Sequence, residues 1–184
     1  VAVVCDATSL ERNLYLALQI LETGVDTVVC VNLLDEAKKK GITVNSALLE
    51  KELGVSVIGM TARNGEGIEE LLDELTQKPK RQPIKIKYNY NIESAIEYIL
   101  PVLKRNKIEK LNHRWLALRL LESDIGAKNY IRQNNNLGNN QKNAIFEAVE
   151  KGKAFLESKN ELNNLSETIA STIYETASKI SGIV

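Results

Sequence analysis

The chain has 184 residues, 43% of them apolar and 26% charged, enough for one ordinary domain or two small ones with a packed core. Lys plus Arg equals Asp plus Glu at 24 each, so net charge gives no basis for nucleic-acid or membrane binding. No run approaches the ~20 apolar residues that span a bilayer, and no signal peptide is evident, so a soluble chain is expected. Cys5 and Cys30 lie in apolar strand-like runs and read as buried, reduced thiols.

Val1 to Cys5 is continuously apolar, which predicts a strand buried on both faces. The first residue is Val1 rather than Met and falls directly into that run, so the sequence is expected to be a piece of something larger. Thr8-Ser9-Leu10-Glu11 fits a capping box, and Leu10, Leu14, Leu18 and Leu21 recur at helical spacing up to Gly24. Thr27 to Val31 predicts a second buried strand. A short helix over 33–40 should end at Gly41, and one over 46–53 should be capped by Asn45 and stopped by Gly54. Val55 to Gly59 predicts a third strand. After the loop Arg63-Asn64-Gly65-Glu66-Gly67, a helix over 68–77 should turn Ile68, Leu71, Leu72 and Leu75 inward. Such βαβαβα alternation predicts three parallel strands side by side in chain order, an α/β half-domain whose single helical layer cannot cover both sheet faces.

Lys78-Pro79-Lys80-Arg81-Gln82-Pro83 marks a domain boundary, with two prolines, three cations and nothing apolar. Ile84, Ile86, Tyr88 and Tyr90 alternate with polar residues, predicting a short extended segment. The remainder is helical in pattern: 92–105 capped by Asn91 and interrupted by Pro101, then 111–122, 124–133, 141–158 and 162–183. The last carries the stripe Leu165, Ile169, Ile173, Ala177 and Ile180. The expected organisation is an α/β unit over 1–77, a linker and extended segment over 78–90, and an all-α helical bundle over 91–184.

Functional chemistry concentrates where the second and third strands end. Asn32-Leu33-Leu34-Asp35 closes an apolar strand and opens a helix, the place where a parallel α/β unit offers polar groups to a ligand. A carboxylate at Asp35 can accept two N–H donors side by side, which guanine offers at ring N1 and its 2-amino group and adenine does not. Asn32 can tie the loop to its neighbours and face the purine edge. The Ala62 N–H, just past the third strand in Thr61-Ala62-Arg63, is placed for a base carbonyl oxygen. The blander reading of Asp35 is a carboxylate complementing a helix N-terminus. No Gly-x-x-x-x-Gly-Lys-Ser/Thr loop occurs: the stretch from Gly54 to Thr61 has its glycine spacing but no Lys, and its interior is a strand. These 184 residues can therefore recognise a base and have no cradle for a triphosphate. His113 is the single histidine, and no His/Cys/carboxylate cluster has ligand spacing, so no metal site is expected. Trp115 reads as a packing residue.

The run from Asp6-Ala7-Thr8-Ser9-Leu10-Glu11-Arg12-Asn13 through Gln19 resembles the cytosolic GTPase portion of the ferrous iron transport protein B family. So do Asn32 to Ala37, Gly41-Ile42, Leu53-Gly54-Val55 and Thr61 to Ile68. The likeness is close over about 1–77 and looser in the helical remainder, mainly at Leu116 to Leu121 and Ile169-Ala170 with Tyr174. It implies the C-terminal half of a P-loop-NTPase-like G domain followed by a helical spacer domain. It also implies that Asn32 and Asp35 form the guanine-specificity motif, that Leu33 stands where many GTPases carry a Lys packed on the base, and that Thr61, Ala62 and Arg63 form a second base-contacting loop. By the same likeness the ligand is GTP or GDP, and the phosphate loop, switch regions and Mg²⁺ ligands would precede Val1. Hydrolysis is thus not expected of these residues alone. The implied partner is the membrane-embedded transporter portion of the same protein, and the implied place is the cytoplasmic face of the bacterial inner membrane, where GTP regulates Fe²⁺ uptake. The Val1–Val4 edge is expected to self-associate. The alternative reading is a non-enzymatic helical interaction module with a degenerate α/β subdomain.

Overall fold

The computed structural model describes residues 1–77, 82–108 and 111–184. Contacts divide them into two compact units, Val1–Ile86 with Ile173–Val184, and Lys87–Thr172.

In the first unit, strands β1 (Ala2–Asp6), β2 (Val28–Asn32) and β3 (Val57–Gly59) form a parallel sheet in chain order, as the alternation predicts. The register sets Cys5 beside Val31 and Val31 beside Gly59, so the strands' carboxyl ends lie together. Val28 to Val31 are buried, as befits a β-branched central strand. β1 differs from the expectation of two buried faces. Val3 and Cys5 are buried, whereas Val4 is 59% exposed, because only one face of this edge strand is covered. Val4 pairs with Cys30 and Cys5 with Val31, so the two thiols point to opposite faces of the sheet. Both are free and fully buried. Burial foremost, and then the neighbouring Cys30, pushes the Cys5 thiol up to about 11.

The first helix, α1 (Leu10–Glu22), buries the predicted stripe Leu10, Leu14, Leu18 and Leu21. Its entry is not the expected capping box. A 3₁₀ turn, Ala7–Ser9, precedes it, and Asp6 caps that turn, its carboxylate accepting the Thr8 N–H at 2.7 Å, while α1 itself starts from Ser9 without a side-chain cap and not from the expected cap Thr8. The Asp6 side chain reaches the amide two residues ahead, an Asx turn. Helix α2 (Leu34–Lys39) follows β2, and α3 (Ser46–Leu53) is capped as expected by Asn45, whose Oδ1 accepts the Leu48 N–H at 3.0 Å. Gly54 at φ 67° ends α3, and the Leu53 carbonyl accepts the Ile84 N–H at 2.8 Å. A second 3₁₀ turn, Ala62–Asn64, leads to α4 (Ile68–Thr76). This helix overturns its expectation: none of its residues is buried, and Leu72 is 58% exposed. Its apolar stripe is real, but among the described residues no second layer lies over it. A hydrogen bond from Ser56 Oγ to Glu74 Oε1, 2.5 Å, ties the helix to the segment entering β3.

Four of the linker residues, 78–81, lie outside the described residues. The segment 82–89 has no regular secondary structure rather than a strand, although Ile86 and Tyr88 are buried between exposed lysines. In the second unit α5 (Tyr90–Arg105) starts two residues earlier than expected. Asn89 and not Asn91 caps it, accepting the Ile92 N–H at 2.9 Å, while Asn91 Nδ2 is engaged by Glu161 Oε1 at 2.6 Å. The helix runs through Pro101 without restarting. The other helices are α6 (His113–Leu121), α7 (Ile125–Gln133), α8 (Asn139–Ser158) and α9 (Leu165–Ser181), the last dividing between the two units. Leu165, Ile169, Ile173, Ala177 and Ile180 are all buried, as the stripe predicts. Trp115 is only partly buried, at the rim of α6. His113 Nε2 lies 2.6 Å from the Ile108 carbonyl, a packing role.

Helices α5 and α8 pack closely at Gly152. A Cβ there would lie 3.0 Å from both the Ala95 carbonyl oxygen and Leu121 Cδ2. Gly152→Val should therefore lower stability by about 1–3 kcal/mol, the usual result of overfilling a packed core. The urea midpoint followed by circular dichroism checks this.

Candidate functional site

The carboxyl ends of β2 and β3 lie side by side, and all six residues singled out from the sequence (Asn32, Leu33, Asp35, Thr61, Ala62 and Arg63) gather there. Asn32 is the last residue of β2. Leu33 then adopts φ 63°, a left-handed conformation uncommon for a branched side chain. That reversal brings the Leu33 carbonyl into position to accept the Glu36 and Ala37 N–H groups at 3.1 and 3.0 Å, opening α2 without a side-chain cap. It also sets Asp35 in the first turn of α2, where the helix dipole favours a carboxylate.

The facing loop is fixed by its own backbone. The Thr61 N–H donates to the Glu66 carbonyl at 3.2 Å, the Asn64 N–H to the Thr61 carbonyl at 2.9 Å, and the Gly65 N–H to the Ala62 carbonyl at 3.1 Å. Thr61 is buried. Gly67 at φ 81° closes the loop, and a Cβ there would lie 2.7 Å from the Gly59 carbonyl oxygen.

Two contacts join the loops. The Ala62 N–H donates to Asn32 Oδ1 at 3.0 Å, so this amide is held by Asn32 rather than left open for a base carbonyl as the sequence suggests. Arg63 Nη2 pairs with Asp35 Oδ2, and Arg63 Nη1 lies 3.7 Å from Glu36 Oε1. The second Asp35 oxygen, Oδ1, is buried and accepts no hydrogen bond. The site therefore offers an apolar wall at Leu33, a carboxylate with one unsatisfied oxygen, and an amide–carboxamide clasp at its back. Glu36 is the participant that sequence reasoning missed. Adjacency to Asp35 was its one signal, and nothing in the spacing said that a cation 28 residues beyond Asp35 would reach both. Among the described residues no group of three or more His, Cys, Asp or Glu side chains could hold a metal ion.

A family model described as ferrous iron transport protein B matches residues 1–75, and one described as FeoB cytosolic helical domain matches residues 88–184, more than half of the chain. The chain belongs to the ferrous iron transport protein B family. Its first segment corresponds to the family's G domain and its second to the cytosolic helical domain. The Fe(2+) transporter FeoB of Escherichia coli K12 is 37% identical over 136 residues, covering 69% of this chain and 16% of that protein. An Fe(2+) transport protein A/FeoB fusion protein of Porphyromonas gingivalis is 36% identical over 129 residues, covering 66% of this chain and 15% of the fusion. The chain thus spans about a sixth of the length of these curated relatives. Among solved structures, a mutant S. thermophilus NFeoB bound to GDP superposes with TM-score 0.75 at 25% identity, over 96% of this chain and 65% of that one. The cytosolic domain of L. pneumophila FeoB gives TM-score 0.74 at 25% identity, over 100% and 66%. The T. maritima FeoB cytosolic domain in GMPPNP form gives 0.72 at 25% identity, over 97% and 64%. Membership in the family accounts for the α/β-then-helical order.

If Asn32 is the clasp between the two loops, Asn32→Ala should leave the Ala62 amide without its acceptor, a loss of about 1–3 kcal/mol for a group shielded from water. Hydrogen exchange at Ala62 should quicken. Asn32→Asp, which keeps an acceptor oxygen in place, should preserve the protection.

Proposed function

We propose that this chain is the base-recognising half of a guanine-nucleotide switch together with its helical spacer, in a protein that couples GTP binding and hydrolysis to Fe²⁺ uptake. The observation that carries the reading is Asp35, set by the turn at Leu33 at the carboxyl edge of the sheet with one oxygen buried and unpartnered. Two adjacent N–H donors on a ligand would satisfy that carboxylate, and guanine supplies them. In this reading Asn32 and Ala62 brace the site, Leu33 offers an aliphatic surface to the base, and Thr61 and Arg63 complete the second loop. Nucleotide binding by the S. thermophilus and T. maritima relatives supports the choice of ligand. Phosphate contacts, Mg²⁺ coordination and hydrolysis are not assigned to these residues.

We further propose that residues 1–77 are the C-terminal half of a G domain, 78–90 a linker and 91–184 the helical spacer. The partner is the membrane-embedded part of the transporter, at the cytoplasmic face of the bacterial inner membrane. Among the described residues no helix is long and apolar enough to cross a membrane. The alternative of a non-enzymatic helical interaction module with a degenerate α/β subdomain has no comparable observation behind it.

The test is Asp35→Asn. The new amide meets guanine's 2-amino group donor to donor, a mismatch worth about 1–3 kcal/mol, or roughly ten- to a hundredfold in affinity. Xanthine carries a carbonyl at that carbon and can accept from the same amide. Titrating the isotope-labelled chain by NMR, GDP should shift the Asn32, Ala62 and Arg63 amides of the wild type and XDP those of Asp35→Asn. Equal responses of the variant to both nucleotides would reduce Asp35 to a helix-end residue.

A second proposal concerns self-association. β1 is an edge of the sheet, with Val1 and Val4 about 60% exposed and its outer backbone groups available to another strand. Light scattering of the chain should show a mass that grows with concentration, and a charge at Val4 (Val4→Lys) should suppress it. A concentration-independent monomer would dismiss the idea.

A further inference from the structure

Resting on the base-binding reading of Asp35, we propose that Arg63 is a competitor built into the site. In the ligand-free chain its guanidinium holds Asp35, and it must swing aside before both carboxylate oxygens can accept a guanine edge. Guanine's N1–C2–N2 edge is itself a guanidine, so Arg63 presents to Asp35 the same donor chemistry as the ligand. The mimicry is incomplete. Arg63 reaches Oδ2 through Nη2 alone, while Nη1 is turned toward Glu36 at 3.7 Å and Oδ1 stays buried without a partner. A guanine edge with two aligned donors satisfies both oxygens, whereas Arg63 satisfies one. The ligand therefore wins the exchange, but against an opposing interaction.

The geometry also shows what has to move. The backbone around Arg63 is fixed by the Thr61–Asn64 and Ala62–Gly65 hydrogen bonds, and Ala62 is clasped by Asn32. The Arg63 side chain is 53% exposed and free to rotate, against 22% for Asp35. Glu36, exposed at the next position of α2, gives the released guanidinium a second carboxylate to rest on. The device is thus a side-chain exchange between two neighbouring carboxylates, Asp35 without ligand and Glu36 with it.

A half-exposed ion pair of this kind weighs about two- to fivefold in an equilibrium constant. Guanosine, uncharged, is the probe, titrated into the chain with Ala62 and Asn32 amide shifts as the readout. Arg63→Gln should bind guanosine two- to fivefold more tightly than wild type. Glu36→Gln, which removes the resting place, should bind it more weakly. Added salt should tighten wild-type binding by screening the Arg63–Asp35 pair and should leave Arg63→Gln unchanged. Equal or weaker binding by Arg63→Gln, with guanosine still seen by the wild type, would overturn the competitor while leaving the base site standing. Guanosine binding by none of the proteins would overturn both.

Discussion

A single hydrogen bond across the top of the sheet, from the Ala62 N–H to Asn32 Oδ1, ties together residues thirty positions apart in the chain. It is available because β2 and β3 run parallel in a register that ends both strands at the same level. A one-residue slip would turn every side chain of β3 to the other face and carry Ala62 away from Asn32. The polar residues of the site thus depend on the packing of Val29, Cys30, Val31, Val57 and Ile58 beneath them, which makes register costly to change.

The helical unit rests on a different kind of constraint. Its core is apolar and continuous through Ile92, Ile96, Ile99, Leu116, Leu120, Ile145 and Leu156, and its entrance is polar. Glu93 accepts from the Tyr88 N–H at 3.1 Å and from Arg114 Nη2 at 2.5 Å, and the Arg114 guanidinium lies 5.2 Å from the centre of the Tyr88 ring. Asn89 and Asn91 both reach Glu161, at 3.0 and 2.6 Å. These contacts pin the non-helical segment ahead of α5 to α6 and to the turn after α8. They explain how a stretch with an alternating pattern is ordered without a strand partner.

Periodicity carried much of this to the page. The stripe of α9 and the leucines of α1 needed only their own spacing, since burial on one helix face is a local property of sequence. Failures came where the deciding partner was distant. The leucines of α4 read as inward because their spacing is right, but spacing says nothing of whether another layer exists to receive them. Val4 reads as buried because an unbroken apolar run does not reveal that its strand lies at an edge. Asn89 and Asn91 are equally good caps by composition; both amides reach the distant Glu161, and only Asn89 also accepts the Ile92 N–H. At the candidate site, the order strand, Asn-x-x-Asp, helix, strand, Thr-Ala pointed to the carboxyl edge of the sheet, where these residues gather. The occupancy of its donors and acceptors, Ala62 by Asn32 and Asp35 by Arg63, is a tertiary fact that no local pattern encodes.

The two cysteines show how much the pleat alone can decide. Cys5 and Cys30 are close in sequence register yet sit on opposite sides of the sheet. An oxidant cannot cross-link them without unravelling the strands, so thiol oxidation is closed to this fold as a staple. What remains is a pair of independent gauges. Alkylation of Cys5 would time the opening of the face that covers Val3, and alkylation of Cys30 the opening of the other. A thiol-labelling time course could then report which side of the sheet breathes first.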